Sequence, residues 1–165
     1  MSTDQSKEKL LFYETLIEVY EVPIGDQKMW GFTLFFDNKV ESPNVVCNGL
    51  EGAVSSAKLH ALDSFVRRSP QLRWLTVYQS DEVFLPSPSV IKRFGDITQW
   101  RVVSLYHKRS DRADFLQKIA LEGTASSPVK MFSLDGEPIQ GILTSSLIER
   151  GEDAAILLEE FTLQT

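Results

Sequence analysis

Three pieces of one stretch decide how this chain is read: residues 48–62, NGLEGAVSSAKLHAL; residues 72–84, LRWLTVYQSDEVF; and residues 99–121, QWRVVSLYHKRSDRADFLQKIAL. In the first, Leu50, Val54, Ala57, Ala61 and Leu62 fall at helical spacing, continued by Phe65. Asn48 suits an N-cap, and Glu51 three residues on can complete a capping box. Ser69-Pro70 ends that helix. The second piece opens with Leu72–Tyr78, a short β-prone run of the buried kind. The third opens with Arg101–Tyr106, read as a further strand. It continues into a helix capped by Ser110 or Asp111, with Phe115, Leu116, Ile119 and Ala120 inward and Gly123 at its end. Between the second and third pieces, Ser87-Pro88 starts a helical segment that Gly95 interrupts.

Upstream, Thr15–Val22 reads as a strand stopped by Pro23, and Met29–Phe36 (MWGFTLFF) as a second, aromatic-rich one. Gly25-Asp26 and Asp37-Asn38 supply turns. Lys39–Cys47 is a third strand, interrupted at Pro43, so an antiparallel meander is expected. Residues 1–14 read as an N-terminal tail. Downstream, Thr124–Pro128 reads as a linker. Val129–Leu134 and Ile139–Thr144 form a hairpin across Asp135-Gly136. Ser146–Arg150 reads as a helical turn, and Ala154–Phe161 as a last strand or helix.

Hydrophobic residues make up 42% of the 165 positions, enough to bury a core. No apolar run reaches bilayer-spanning length, and the start lacks the apolar stretch of a signal peptide. The expected location is the cytoplasm. One cysteine, Cys47, and two histidines, His60 and His107, disfavour a structural zinc site. A net charge of −6 argues against a general nucleic-acid binder. Residues 67–118 nevertheless carry ten Lys or Arg against five acids, which suggests a basic face on an acidic chain.

The order of three strands, long helix, strand, helical connection, strand and helix over residues 15–123 resembles the ribonuclease H-like fold. Residues 48–62 look like that family's first helix, with its Asn and catalytic Glu. Residues 72–84 look like its fourth strand, ending in an Asp. Residues 99–121 look like its last strand, a His-bearing loop and an Asp-bearing helix. The resemblance implies an α/β ribonuclease H-like mixed sheet, an antiparallel meander followed by βαβ units. Residues 124–165 would add a small β extension packed on the same domain. It further implies Glu51, Asp81, Asp114 and His107 as catalytic residues. Glu21, Glu51, Asp81 and Asp114 would hold Mg²⁺ if the site is active; otherwise no cofactor is expected. Arg67, Arg68, Lys108, Arg109 and Arg112 would contact phosphates.

The match fails in the first strand. LIEVYEVPIG offers only Glu18 and Glu21 where the family places an Asp, and their odd separation sends them to opposite faces. The expected function is therefore a catalytically silent or weak ribonuclease H-like interaction module in a nucleic-acid-processing assembly. The acidic C-terminal region would bind a protein partner or a second copy. A Mg-dependent nuclease acting on RNA–DNA hybrid or another structured nucleic acid is the alternative, and an unrelated α/β fold with coincidental spacing is the third. Each residue also has a plain role: Glu51 and Asp111 at helix N-termini, Asp81 in a turn, His107 in a loop.

Overall fold

The structure is a computed structural model that describes residues 7–150 and 153–164. The chain divides into two compact units, Met1–Phe65 and Val66–Thr165. This division falls elsewhere than the boundaries at 14/15 and 123/124 drawn from the sequence.

The first unit is a four-stranded antiparallel meander: β1 (Lys7–Phe12), β2 (Thr15–Ile24), β3 (Gln27–Phe36) and β4 (Lys39–Glu41), in that spatial order. Its first strand lies in what the sequence reads as a tail. Alternation places Ile17, Val19, Phe32 and Leu34 on one face. Against them packs a stripe of Ala53, Ala57 and Ala61 from helix α1 (Leu50–Arg67). Small side chains at i, i+4 and i+8 let the helix lie close to large sheet residues. α1 begins at Leu50, and the carbonyl of Gly49 accepts its first bond, from Ala53 at 3.1 Å. The helix thus starts later than an Asn48 cap requires. The β1–β2 and β3–β4 turns have two residues each, all at positive φ: Tyr13 and Glu14 (46° and 61°), Asp37 and Asn38 (48° and 60°). That conformation suits the twist of a tight hairpin; Asp37-Asn38 adopts it at little cost, whereas tyrosine at positive φ is strained.

The second unit is a five-stranded sheet in the order β6-β5-β9-β8-β7. Its strands are β5 (Leu72–Val77), β6 (Glu82–Pro86), β7 (Thr124–Phe132), β8 (Pro138–Arg150) and β9 (Asp153–Leu163). Helix α2 (Pro88–Phe94), a 3₁₀ turn at Val102–Leu105 and helix α3 (Arg109–Glu122) lie between β6 and β7 in the chain. One face of the sheet carries Leu72, Trp74, Leu143, Leu157 and Phe161. It shares a core with Val90 and Phe94 of α2, Val102 and Leu105 of the turn, and Phe115 and Ile119 of α3. Trp74, Phe94 and Phe161 meet edge to face, with centroids 6.0 and 5.7 Å apart. Gly141 lies where a Cβ would press on the Thr162 carbonyl and the Phe161 ring, which lets β8 and β9 run close.

This arrangement corrects the expected fold. Among the described residues every strand pairing is antiparallel, and no parallel βαβ unit is formed. Arg101–Tyr106 is a 3₁₀ turn flanked by single bridges and not a strand. β5 instead lies between β6 and β9, with Leu75 opposite Leu158 on β9. Residues 124–165 are therefore no extension, since β7, β8 and β9 supply three of the five strands. The supposed linker Thr124–Pro128 opens β7, and the supposed helical turn Ser146–Arg150 closes β8. The hairpin across Asp135-Gly136 is present, with Gly136 at φ 86°.

Candidate functional site

A basic side chain on a helix of a charged chain normally faces water. Arg112 of α3 does not: its side chain is 1% exposed. Its Nε and Nη2 donate to Asp81 Oδ1 at 3.1 and 2.9 Å. Nη2 also donates to Glu159 Oε1 at 2.6 Å, and Nη1 to the Tyr106 hydroxyl at 3.3 Å. The guanidinium carbon stands 5.4 Å from the Tyr106 ring centroid and 5.6 Å from that of Phe115, within cation–π range.

Each partner comes from a different element. Asp81 sits in the β5–β6 turn at φ 63°, a conformation Asp tolerates better than most residues. Its Oδ2 accepts from the Val103 amide at 2.8 Å and its carbonyl from the Val102 amide at 2.8 Å. One residue thus ties the turn to the 3₁₀ segment and to α3. Glu159 lies on β9 with its side chain fully buried. Opposite it in register stand Trp74 on β5 and Ser145 on β8. Glu159 Oε2, Trp74 Nε1 and Ser145 Oγ are all buried without a hydrogen-bond partner. Three incompletely satisfied polar atoms therefore share one row of the core face, and a fourth, Thr76 Oγ1, lies two residues along β5.

The charges do not balance. One guanidinium faces two carboxylates, and an excess buried charge is costly. Burial pushes the Glu159 carboxyl above its ordinary range; Arg112 opposes that and Asp81 adds to it. The nearby Ser145 hydroxyl also favours the ionised form, though its oxygen falls outside hydrogen-bonding geometry. The Tyr106 phenol is pushed far up, first by burial, with Arg112 opposing. Tyr106 is thus a neutral partner, and Glu159 is the carboxyl whose charged form burial disfavours.

The residues expected from the sequence are dispersed. Glu21 is half-buried on β2 and Glu51 exposed in the first turn of α1. Asp114 is exposed on α3, beside a shallow groove lined by Asp111, Lys118 and Pro128. His107 is exposed, with its ring 5.6 Å from that of Phe132. Arg67, Lys108 and Arg109 are exposed and Arg68 is half-buried, whereas the buried Arg112 is turned away from any phosphate. Asp81 is the one expected acid inside the cluster, and its carboxylate is occupied by Arg112 and Val103. Among the described residues, no group of three or more His, Cys, Asp or Glu is placed to hold a metal ion. Among them, too, no helix is long and apolar enough to cross a membrane.

Glu159 was missed, though the sequence carries a signal for it. In AAILLEEF, two acids interrupt an apolar run, and strand alternation sends one of them inward. A buried carboxylate needs a cation, and Arg112 is the one that α3 turns toward the sheet.

No protein-family profile and no curated protein sequence matches the chain. Solved structures do. A PAS domain from Desulfitobacterium hafniense matches at TM-score 0.53 and 10% identity, over 61% of this chain and 99% of that one. A LOV protein from Rhodobacter sphaeroides matches at TM-score 0.55 and 16% identity, over 64% of this chain and 65% of that one. The PAS domain of the fruit-fly ELK potassium channel matches at TM-score 0.52 and 13% identity, over 65% and 97%. These findings overturn the ribonuclease H-like resemblance, and with it the nuclease, the degenerate nuclease module and the catalytic Mg²⁺. At such identities they establish architecture alone: this chain carries a PAS-like α/β fold.

Proposed function

We propose that this chain is a sensory or interaction module of PAS type that works by binding another protein, with Val66–Thr165 as its PAS-like part. That unit makes up about three fifths of the chain, close to the 61% matched by the D. hafniense domain. The observation that carries the reading is the Arg112 cluster. Its guanidinium links α3 to the β5–β6 turn and the central strand β9, and the Asp81 carboxylate carries the link on to the 3₁₀ segment. An input that alters the pairing of Glu159 would act on the guanidinium that Asp81 shares, and through Asp81 on the turn and the 3₁₀ segment. The module's output would be a change in the surface it presents to a protein partner.

Chemical crosslinking of the tagged full chain in its source cells, read by mass spectrometry, tests the proposal. The expected result is a protein partner recovered near stoichiometry, resistant to nuclease treatment and altered in yield by Glu159→Gln. Recovery of the chain with no partner protein, or with nucleic acid alone, would overturn it.

A further inference from the structure

Asn48 does not cap α1. The Gly49 carbonyl accepts the first bond of that helix, so Asn48 stands one residue ahead of the cap, in the loop that joins β4 to α1. Asn48 and Gly49 are both exposed. Among the described residues, the Asn48 side chain and the Gly49 amide have no hydrogen-bond partner. A Cβ built on Gly49 meets nothing within 4 Å, so the space beside its nitrogen is open. The two other asparagines of the chain differ. Asn44 precedes the β-branched Val45, whose amide donates to the Pro43 carbonyl at 2.8 Å. Asn38 precedes Lys39, which pairs with Phe36 across the β3–β4 turn. The acidic counterpart Asp135-Gly136 is closed as well, because the Gly136 amide donates to the Ser133 carbonyl at 2.9 Å.

We propose that Asn48-Gly49 is a site of spontaneous deamidation in the folded chain. The Gly49 backbone nitrogen gives up its proton to solvent base and attacks Cγ of the Asn48 side chain. The C–N bond of the side-chain amide breaks, ammonia leaves, and a five-membered succinimide ring joins residues 48 and 49. Water then opens the ring at one of its two carbonyls and leaves aspartate or isoaspartate at position 48. One water is consumed and one ammonia released, and nothing is oxidised or reduced. A following glycine favours the reaction, since it has no side chain to crowd the approach and permits the backbone rotation that ring closure needs. Either product adds one negative charge to a chain at −6. Isoaspartate also routes the main chain through Cβ, which adds one carbon, about 1.5 Å of chain. That length falls between two fixed points. Cys47 exchanges both backbone bonds with Trp30 at 2.8 Å, and Gly49 accepts from Ala53 at 3.1 Å. The modification thus acts where α1 is joined to its sheet, just ahead of the alanine stripe. The inference concerns the first unit and stands apart from the PAS-type reading of the second.

Peptide mapping by mass spectrometry tests it, on the full chain aged in mildly alkaline buffer, once folded and once in urea. The expected product is a gain of about 1 Da located at Asn48 by fragmentation and divided between aspartate and isoaspartate. The folded chain should react within about tenfold of the unfolded rate, because no native contact has to open first. Gly49→Val should slow the reaction at least ~10-fold through its branched Cβ. That variant should fold, since Gly49 lies outside the left-handed region and has room for a side chain. Suppression in the folded chain by more than about tenfold would overturn the proposal. So would conversion at Asn38 or Asn44 as fast as at Asn48, or a Gly49→Val chain that reacts at the wild-type rate.

Discussion

Replacing Arg112 by methionine keeps most of the buried volume and removes the guanidinium that pairs with the buried carboxylates of Asp81 and Glu159. The guanidinium makes two bonds to Asp81, at 3.1 and 2.9 Å, one to Glu159 at 2.6 Å and one to Tyr106 at 3.3 Å. Hydrogen bonds to charged groups contribute about 1.5–3 kcal/mol each, but they share one donor group and do not add. The larger effect is the carboxylates left behind. Breaking a buried ion pair from one side costs about 3–5 kcal/mol, against a total stability of about 5–15 kcal/mol for a domain. We expect Arg112→Met to lose about 3–5 kcal/mol at pH 8 in urea unfolding of the full chain followed by tryptophan fluorescence. Trp74 reports from the affected core. The loss should shrink at pH 5, where Glu159 can take a proton, and it should shrink again in the Arg112→Met/Glu159→Gln double variant. A loss below about 1 kcal/mol, or one that neither pH nor the second substitution relieves, would refute the role assigned to this cluster.

The remaining predictions concern the same cluster and the packing around it. The carboxyl of Glu159 is raised in the folded state, so the folded chain holds that proton more tightly than the unfolded one. Its contribution is present below the ordinary carboxylate range and is lost as pH rises through the raised value. Glu159→Gln should flatten that part of the stability–pH profile, as measured by melting temperature across a pH series. Gly141→Ala should destabilise by about 2–3 kcal/mol in urea unfolding, because the new methyl meets backbone at the Thr162 carbonyl and the rigid Phe161 ring. Ala57→Leu should cost about 1–3 kcal/mol by forcing α1 away from Ile17 and Phe32, whereas Ala57→Ser should cost less.

Local pattern made many of the elements legible. Strand-favouring residues in LIEVYEV and the aromatic run MWGFTLFF located β2 and β3, although β2 passes through Pro23 to Ile24, and helical spacing located α1. Ser87-Pro88 and Gly95 bound α2, whose helix runs Pro88–Phe94. Gly123, at φ 78°, ends α3 as read. What stayed hidden was pairing over long separations. On the side away from β6, β5 pairs with β9, some eighty residues away, and nothing local in LRWLTV announces it. RVVSLY has strand composition, yet Asp81 claims the amides of Val102 and Val103 from outside and holds them in a 3₁₀ turn. Once that segment leaves the sheet, the ribonuclease H-like order fails, and the C-terminal strands take the vacated places. The site was obscured for a related reason. Arg112 sits in KRSDRAD among exposed neighbours and reads as one more phosphate contact, and only the helix's docking reveals that it points inward. Asp81 was singled out for metal chemistry, but its carboxylate holds a structural arginine.

The central claim is the antiparallel placement of β9 between β5 and β8, since it separates the PAS-like fold from the one first expected. Cross-strand nuclear Overhauser effects on the isotopically labelled full chain test it most directly. The account predicts contacts between Leu75 and Leu158, and between Ser145 and Glu159, in the antiparallel register. Contacts showing β5 paired in parallel with residues 101–106, with β9 elsewhere, would contradict it.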